Sequence, residues 1–152
     1  MSILISVING PNLNLVGERE QDVYGVMSWR EIEEQIRSRA EEMPRPVKLI
    51  FQQSNHEGEI IDVLHRYRSS VDGILINPGA FTHYSYAIRD ALKAIQPPAV
   101  EVHLSDIEAR ESFRSRSVIQ PVCIKQIMGK GPQSYLQGLE YLVNRTGGNK
   151  DD

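Results

Sequence analysis

Ile3-Leu4-Ile5-Ser6-Val7-Ile8-Asn9-Gly10-Pro11-Asn12-Leu13-Asn14 is the stretch from which the fold is read. Residues 3–8 form a continuous apolar run, which suits a central parallel strand covered on both faces and not a half-exposed strand of alternating character. The run ends on a Gly-Pro turn set among three asparagines, Asn9, Asn12 and Asn14. A charged segment follows, bounded by Gly17 and Gly25 and carrying Arg19 and Tyr24. Glycines at both ends tolerate the backbone angles of a hinge, so the segment reads as a flap over a pocket. A tyrosine beside a fixed cation on such a flap points to a phenol whose anion is stabilised.

Beyond the flap, strands and helices alternate. Residues 28–43 read as an amphipathic helix with Trp29, Ile32, Ile36, Ala40 and Met43 on one face, opened by a Ser28/Glu31 capping box and stopped by Pro44 and Pro46. Residues 47–52 form a second strand, 57–67 a helix, 73–76 a third strand and 85–95 another helix. Residues 99–104 form a fourth strand, followed by a short helix over 106–114 with Ser105 and Glu108 as its capping box. Residues 118–124 are the expected fifth strand and 135–143 the closing helix, with a disordered polar tail from residue 146. This alternation predicts right-handed crossovers and a parallel sheet between two helix layers. Five strands fit the flavodoxin-like three-layer α/β sandwich in the order 2-1-3-4-5, as a single domain over residues 1–145.

Composition narrows the function classes. The chain has 152 residues, 40% hydrophobic and 24% charged, with a net charge of −3. That is ordinary for a globular protein, and the absence of a long basic run argues against a nucleic-acid partner. No segment approaches the roughly 20 apolar residues of a membrane span. The start, Met-Ser before a strand, does not read as a signal peptide, and a cytoplasmic setting is expected. Cys123 is alone and lies in an apolar run, which fits a buried structural thiol.

Ligands of open parallel sheets bind beyond the carboxyl ends of the strands. Asn9, Asn12 and Asn14 follow the first strand, and Gln53, Ser54, Asn55, His56 and Glu57 the second. Asn77, Thr82, His83 and Ser85 follow the third, and Glu101, His103 and Ser105 belong to the fourth. Asn9 and Asn77 also suit turn formation, while Ser54 and Ser105 also suit helix capping. Glu101 and His103 are two apart and share a strand face. A carboxylate so placed fixes the imidazole tautomer and favours its protonated form, as a general acid requires. Zinc on His83, His103 and Glu101 lacks a compact ligand motif. The lysines show no association with the strand ends, which disfavours Schiff-base chemistry.

Six blocks together resemble the type II 3-dehydroquinate dehydratases, or type II dehydroquinases. They are Asn9-Gly-Pro-Asn-Leu-Asn-Leu15, the flap with Arg19 and Tyr24-Gly25, and Gln53-Ser-Asn-His-Glu-Gly58. Ile76-Asn-Pro-Gly-Ala-Phe-Thr-His83, Glu101-Val-His-Leu-Ser105 and Arg110-Glu-Ser-Phe-Arg114 complete the set, in family order across nearly the whole chain. The resemblance implies reversible loss of water from 3-dehydroquinate to give 3-dehydroshikimate through an enolate, with no cofactor, metal or imine. It implies Tyr24 as the base at C2, activated by Arg19 with help from Arg114 or Arg110. It further implies Asn12 as the enolate stabiliser, and His103, oriented by Glu101, as the acid. Asn77, His83, Arg114 and the Leu104-Ser105 amides would bind substrate, and Asp90 would reach a neighbouring subunit's site in a homododecamer built as a tetramer of trimers. The same implication places the reaction in shikimate-pathway biosynthesis of chorismate and aromatic amino acids, or alternatively in quinate catabolism. Asp106, Lys125 and Lys130 depart from the family pattern. A flavodoxin-like nucleotide-binding module is disfavoured by the missing Gly-x-Gly-x-x-Gly loop, and a receiver domain by Asn9 and Asn77, where acidic residues are needed.

Overall fold

The computed structural model describes residues 2–18 and 20–146. Five parallel strands form one sheet in the order β2-β1-β3-β4-β5. The central strand β1 (Ile3–Asn9) is buried along almost its whole length, as its unbroken apolar run requires. The remaining elements in chain order are α1 (Gln21–Tyr24), α2 (Trp29–Glu41), β2 (Val47–Gln53), α3 (Glu57–Tyr67), β3 (Gly73–Asn77), α4 (Tyr86–Ala94), β4 (Ala99–Val102), β5 (Lys125–Ile127) and α5 (Gln133–Thr146).

The two-residue period of the strands sorts their side chains between two cores. Ile5, Val7, Leu75, Val100 and Val102 meet Ile32 and Ile36 of α2 and Leu139 and Leu142 of α5. Ile8, Ile74, Ile76 and Ala99 meet Ile60 and Leu64 of α3 and Ile88 and Leu92 of α4. Helix α2 starts as its capping box requires, with Ser28 Oγ accepting from the Glu31 N–H at 3.2 Å. Helix α5 lies directly against the sheet because Gly138 has no side chain: a Cβ there would sit 2.6 Å from Leu75 Cδ1 and 2.9 Å from Val102 Cγ1.

Three expected elements differ. The fifth strand is Lys125–Ile127, not 118–124. Val118 and Ile119 are apolar because they pack under α4 in the second core. The Ser117 hydroxyl accepts the N–H groups of Ile119 and Gln120, and Pro121 lacks one, so this backbone turns instead of pairing. The helix expected over 106–114 is two single turns, Ile107–Ala109 and Ser112–Arg114, with Arg110 extended between them. Asp106, not Ser105, caps the first turn, accepting from the Glu108 N–H at 3.0 Å. The strand expected to run to residue 104 ends at Val102. Thr146 closes α5, and the rest of the expected tail lies outside the described residues.

Tyr135 ties the first turn of α5 to two strand ends. Its fully buried hydroxyl donates to Asn9 Oδ1 at 2.7 Å and accepts from Asn77 Nδ2 at 2.9 Å. Tyr135→Phe strands both amides in the interior, and each such loss costs about 1–3 kcal/mol. Urea unfolding should show a lower midpoint with an unchanged slope; a wild-type midpoint would contradict this role.

Candidate active site

Four loops meet beyond the carboxyl ends of β1, β3 and β4. Gly10 lets the first two touch, since a Cβ there would lie 2.3 Å from the Pro78 carbonyl oxygen. Asn12 takes a left-handed backbone (φ 67°) and donates its N–H to Asn55 Oδ1 at 3.0 Å. Gln53 Nε2 donates to the same Asn55 oxygen and to the Gly10 carbonyl, both at 3.2 Å. The β2-end amides therefore brace the β1 loop. Ser54 accepts the His56 N–H in the turn ahead of α3, whose N-cap residue, His56, makes no side-chain cap bond, and Glu57 accepts from Ser85 across to α4.

The resulting cleft brings together most of the residues expected from the sequence. Asn12, Tyr24, Asn77 and His83 line it from the β1 loop, the flap and the β3 loop. His103, Leu104, Ser105, Arg110 and Arg114 line it from the β4 side. Asn14 and Asp90 do not; Asp90 is exposed on α4. Arg19 lies outside the described residues.

The segment carrying Tyr24 is bounded by Gly17 (φ 93°) and Gly25 (φ 88°), conformations that an L side chain strains. Between them, the single turn α1 delivers Tyr24. Arg110 meets it there: its Nη1 donates to the phenolic oxygen at 2.7 Å, and its guanidinium carbon lies 5.0 Å from the ring centroid. Arg110 also reaches Glu20, Nη2 to Oε2 at 3.7 Å. Among the described residues, a cation at the phenol is Arg110, from the segment between the two turns after β4.

On the β4 side, Glu101 is fully buried behind His103, and His103 Nε2 donates to Glu101 Oε2 at 2.6 Å. That bond leaves Nδ1 as the imidazole nitrogen free to exchange a proton with a ligand. Burial pushes the Glu101 carboxyl upward, but donors from His103, Thr82 and Ser117 outweigh it and hold it below the usual carboxylate value. Its oxygens point into this donor shell, away from the cleft, so Glu101 is not placed to complete a zinc triad with His83 and His103. Among the described residues, no cluster of three metal-ligating side chains occurs.

His83 Nδ1 lies 2.8 Å from the Arg116 carbonyl, which can only accept, so Nδ1 carries the proton. Burial holds His83 below the usual histidine value; the Arg116 bond opposes this, and the charges of His103, Arg114 and Arg110 add to it. His83 is therefore neutral at pH 7, offering Nε2 as an acceptor. Arg114 pairs with Glu111 at 2.9 Å. With Arg110 and Arg114 on one wall, the cleft suits an anionic ligand. Chemically it holds a phenol backed by a cation and an imidazole backed by a carboxylate, the two halves of a general base and acid pair.

Sequence reasoning passed over Ser117 and Gln126, gave Thr82 no task, and used Tyr135 only as a helix start. The signal for the first three was available: a carboxylate buried on a strand face must find donors.

Residues 3–143 match the family model described as Dehydroquinase class II. A 3-dehydroquinate dehydratase of Caldicellulosiruptor saccharolyticus is 55% identical over 139 residues, covering 91% of this chain and 94% of the relative. The crystal structure of a type II dehydroquinase from Butyrivibrio crossotus superimposes with a TM-score of 0.89 at 43% identity, covering 93% of this chain and 97% of that one. A type II dehydroquinase structure from Propionibacterium acnes gives 0.87 at 34% identity, covering 95% and 98%.

Proposed function

We propose, since this chain belongs to the class II dehydroquinase family and is an enzyme of that type, that it eliminates water from 3-dehydroquinate to give 3-dehydroshikimate by dividing the two proton transfers between Tyr24 and His103. The observation that carries this reading is the pairing of one activated base and one oriented acid on the same cleft: Arg110 on the Tyr24 oxygen at 2.7 Å and Glu101 on His103 at 2.6 Å.

The base step falls to Tyr24 as its anion, which takes the proton from C2 beside the ketone. Arg110 supplies compensating charge at the phenol, the supporting part expected of it beside Arg19. The electron pair moves onto the ketone oxygen as an enolate, and Asn12, held by Asn55, stabilises it through a bridging water. His103 then passes its Nδ1 proton to the C1 hydroxyl, which departs as water while the enolate collapses to the conjugated ketone. Neutral His83 accepts from a substrate hydroxyl, Asn77 and the Leu104-Ser105 backbone orient the ring, and Arg114 takes the carboxylate. Each transfer uses side chains of the protein, with no imine. The assembly we propose is a homododecamer, a tetramer of trimers in which Asp90 reaches a neighbour's site, working in the cytoplasm on biosynthesis of aromatic amino acids.

The test supplies 3-dehydroquinate and follows ultraviolet absorbance of the conjugated product, with no added metal and with borohydride present in a parallel run. Steady turnover that survives borohydride is expected. Borohydride inactivation in the presence of substrate would point to a lysine imine instead, and no product at all would refute the reading.

A further inference from the structure

We infer that Thr82, Ser117 and Gln126 are positioning residues which saturate the Glu101 carboxylate with hydrogen-bond donors, so that the shared proton stays on His103. This rests on the proposed role of His103 as the acid. Four donors converge on one fully buried carboxylate. Thr82 Oγ1 and His103 Nε2 donate to Oε2. Ser117 Oγ lies 2.9 Å from both oxygens, and Gln126 Nε2 donates to Oε1 at 3.1 Å.

The direction of these bonds is forced. Ser117 Oγ already accepts the N–H groups of Ile119 at 3.2 Å and Gln120 at 3.0 Å. Its lone pairs are engaged, so its single hydrogen goes to Glu101. An amide nitrogen only donates, which settles Gln126. Thr82 lies 3.2 Å from Ser117 Oγ, whose hydrogen is committed, and its own hydrogen goes to the carboxylate.

Three separate segments supply the shell. Thr82 lies in the β3 loop, and its carbonyl accepts the Val118 N–H at 2.8 Å, pinning the two hydroxyl-bearing segments together. Gln126 stands opposite Glu101 in the β4–β5 register. That register explains why so short and polar an edge strand pairs at this point. Each donor makes the carboxylate a poorer proton acceptor. With the shell intact, Glu101 stays anionic and the Nε2 proton stays on the ring; with a donor missing, the proton moves towards Glu101 and the imidazole loses the charge partner that an acid needs.

Few other titratable groups face this pair. Cys123 approaches from the segment after Ser117, with its thiol pushed up to about 12, chiefly by burial and further by Glu101, so it is uncharged in the working range. His83, Arg110 and Arg114 face His103 from the cleft side.

Thr82→Val removes one donor at nearly constant shape, Gln126→Met removes another, and Thr82→Ser keeps the hydroxyl. Two readouts apply: kcat and KM against pH, and the nitrogen-15 NMR signals of His103 in the resting enzyme. Thr82→Val should lower kcat about tenfold with KM within about twofold. The acid limb of its kcat profile should move up by about one pH unit, because a carboxylate with fewer donors protonates earlier as pH falls. The one-bond N–H coupling at Nε2 should weaken, and Thr82→Ser should restore all three. If Thr82→Val does not fold, Gln126→Met carries the same readouts. A folded variant with a wild-type acid limb and unchanged His103 signals overturns the inference. The NMR arm needs no turnover, so it decides the role of the shell separately from the identity of the reaction.

Discussion

Tyr24→Phe should lower kcat by about 10³- to 10⁴-fold, the range that a positioned base contributes, while leaving KM within a few-fold of wild type. The variant keeps everything about Tyr24 except its oxygen. The ring still packs against the first core and under the Arg110 guanidinium. Arg110 keeps its contact with Glu20, so the flap retains an electrostatic tie to the wall below it. The proton acceptor is gone, together with the hydrogen bond it accepts from Arg110. Thermal unfolding should therefore be close to wild type, which separates lost chemistry from lost structure. A kcat within tenfold of wild type would remove Tyr24 from the base role.

His103→Ala should be comparably damaging, about 10²- to 10⁴-fold in kcat, and it should also alter stability. The deletion leaves a buried carboxylate without its charged partner, a change that costs about 3–5 kcal/mol in typical buried pairs. The pH dependence has a defined sign. In the wild type the folded Glu101 carboxyl lies below its unfolded value of 4.5. Its contribution to stability is therefore complete above pH 4.5 and is lost as pH falls through the lower folded value. Removing His103 takes away both its hydrogen bond and its charge, the main influences that hold Glu101 down. The folded value rises, and acid unfolding should begin at a higher pH than in wild type. An acid-unfolding curve that superimposes on wild type would show that the pair is not coupled in this way.

These two residues also mark what the chain's order reveals and what it hides. The apolar run of β1 and the helix–strand alternation were legible because burial on both faces writes itself into hydrophobicity. The β5 edge was not, because its Lys125 is exposed and its Gln126 serves Glu101, while the apolar Val118 and Ile119 answer to the core below α4. Pairing between residues two apart is local, so Glu101 and His103, which lies just past the end of β4, could be matched by spacing alone. The cation on Tyr24 could not be matched that way. Sequence proximity singles out Arg19, five residues away on the flap and outside the described residues, whereas the hydrogen bond from Arg110 spans 86 residues and follows from no local spacing. That a buried Glu101 needs donors was legible, but not that Thr82, Ser117 and Gln126 supply them, since each arrives on a different segment. Asp90 is exposed in the single chain, and the inter-subunit contact proposed for it is not something one chain displays.

The division of labour between Tyr24 and His103 is tested most directly by hydrogen exchange at C2 of 3-dehydroquinate in deuterated water, followed by proton NMR in wild type, His103→Ala and Tyr24→Phe. Proton abstraction at C2 needs only the base, while loss of the C1 hydroxyl needs the acid. His103→Ala should therefore still exchange the C2 hydrogen while forming almost no 3-dehydroshikimate, and Tyr24→Phe should do neither. Persistent exchange in Tyr24→Phe, or its loss in a folded His103→Ala, would contradict the assignment of base and acid.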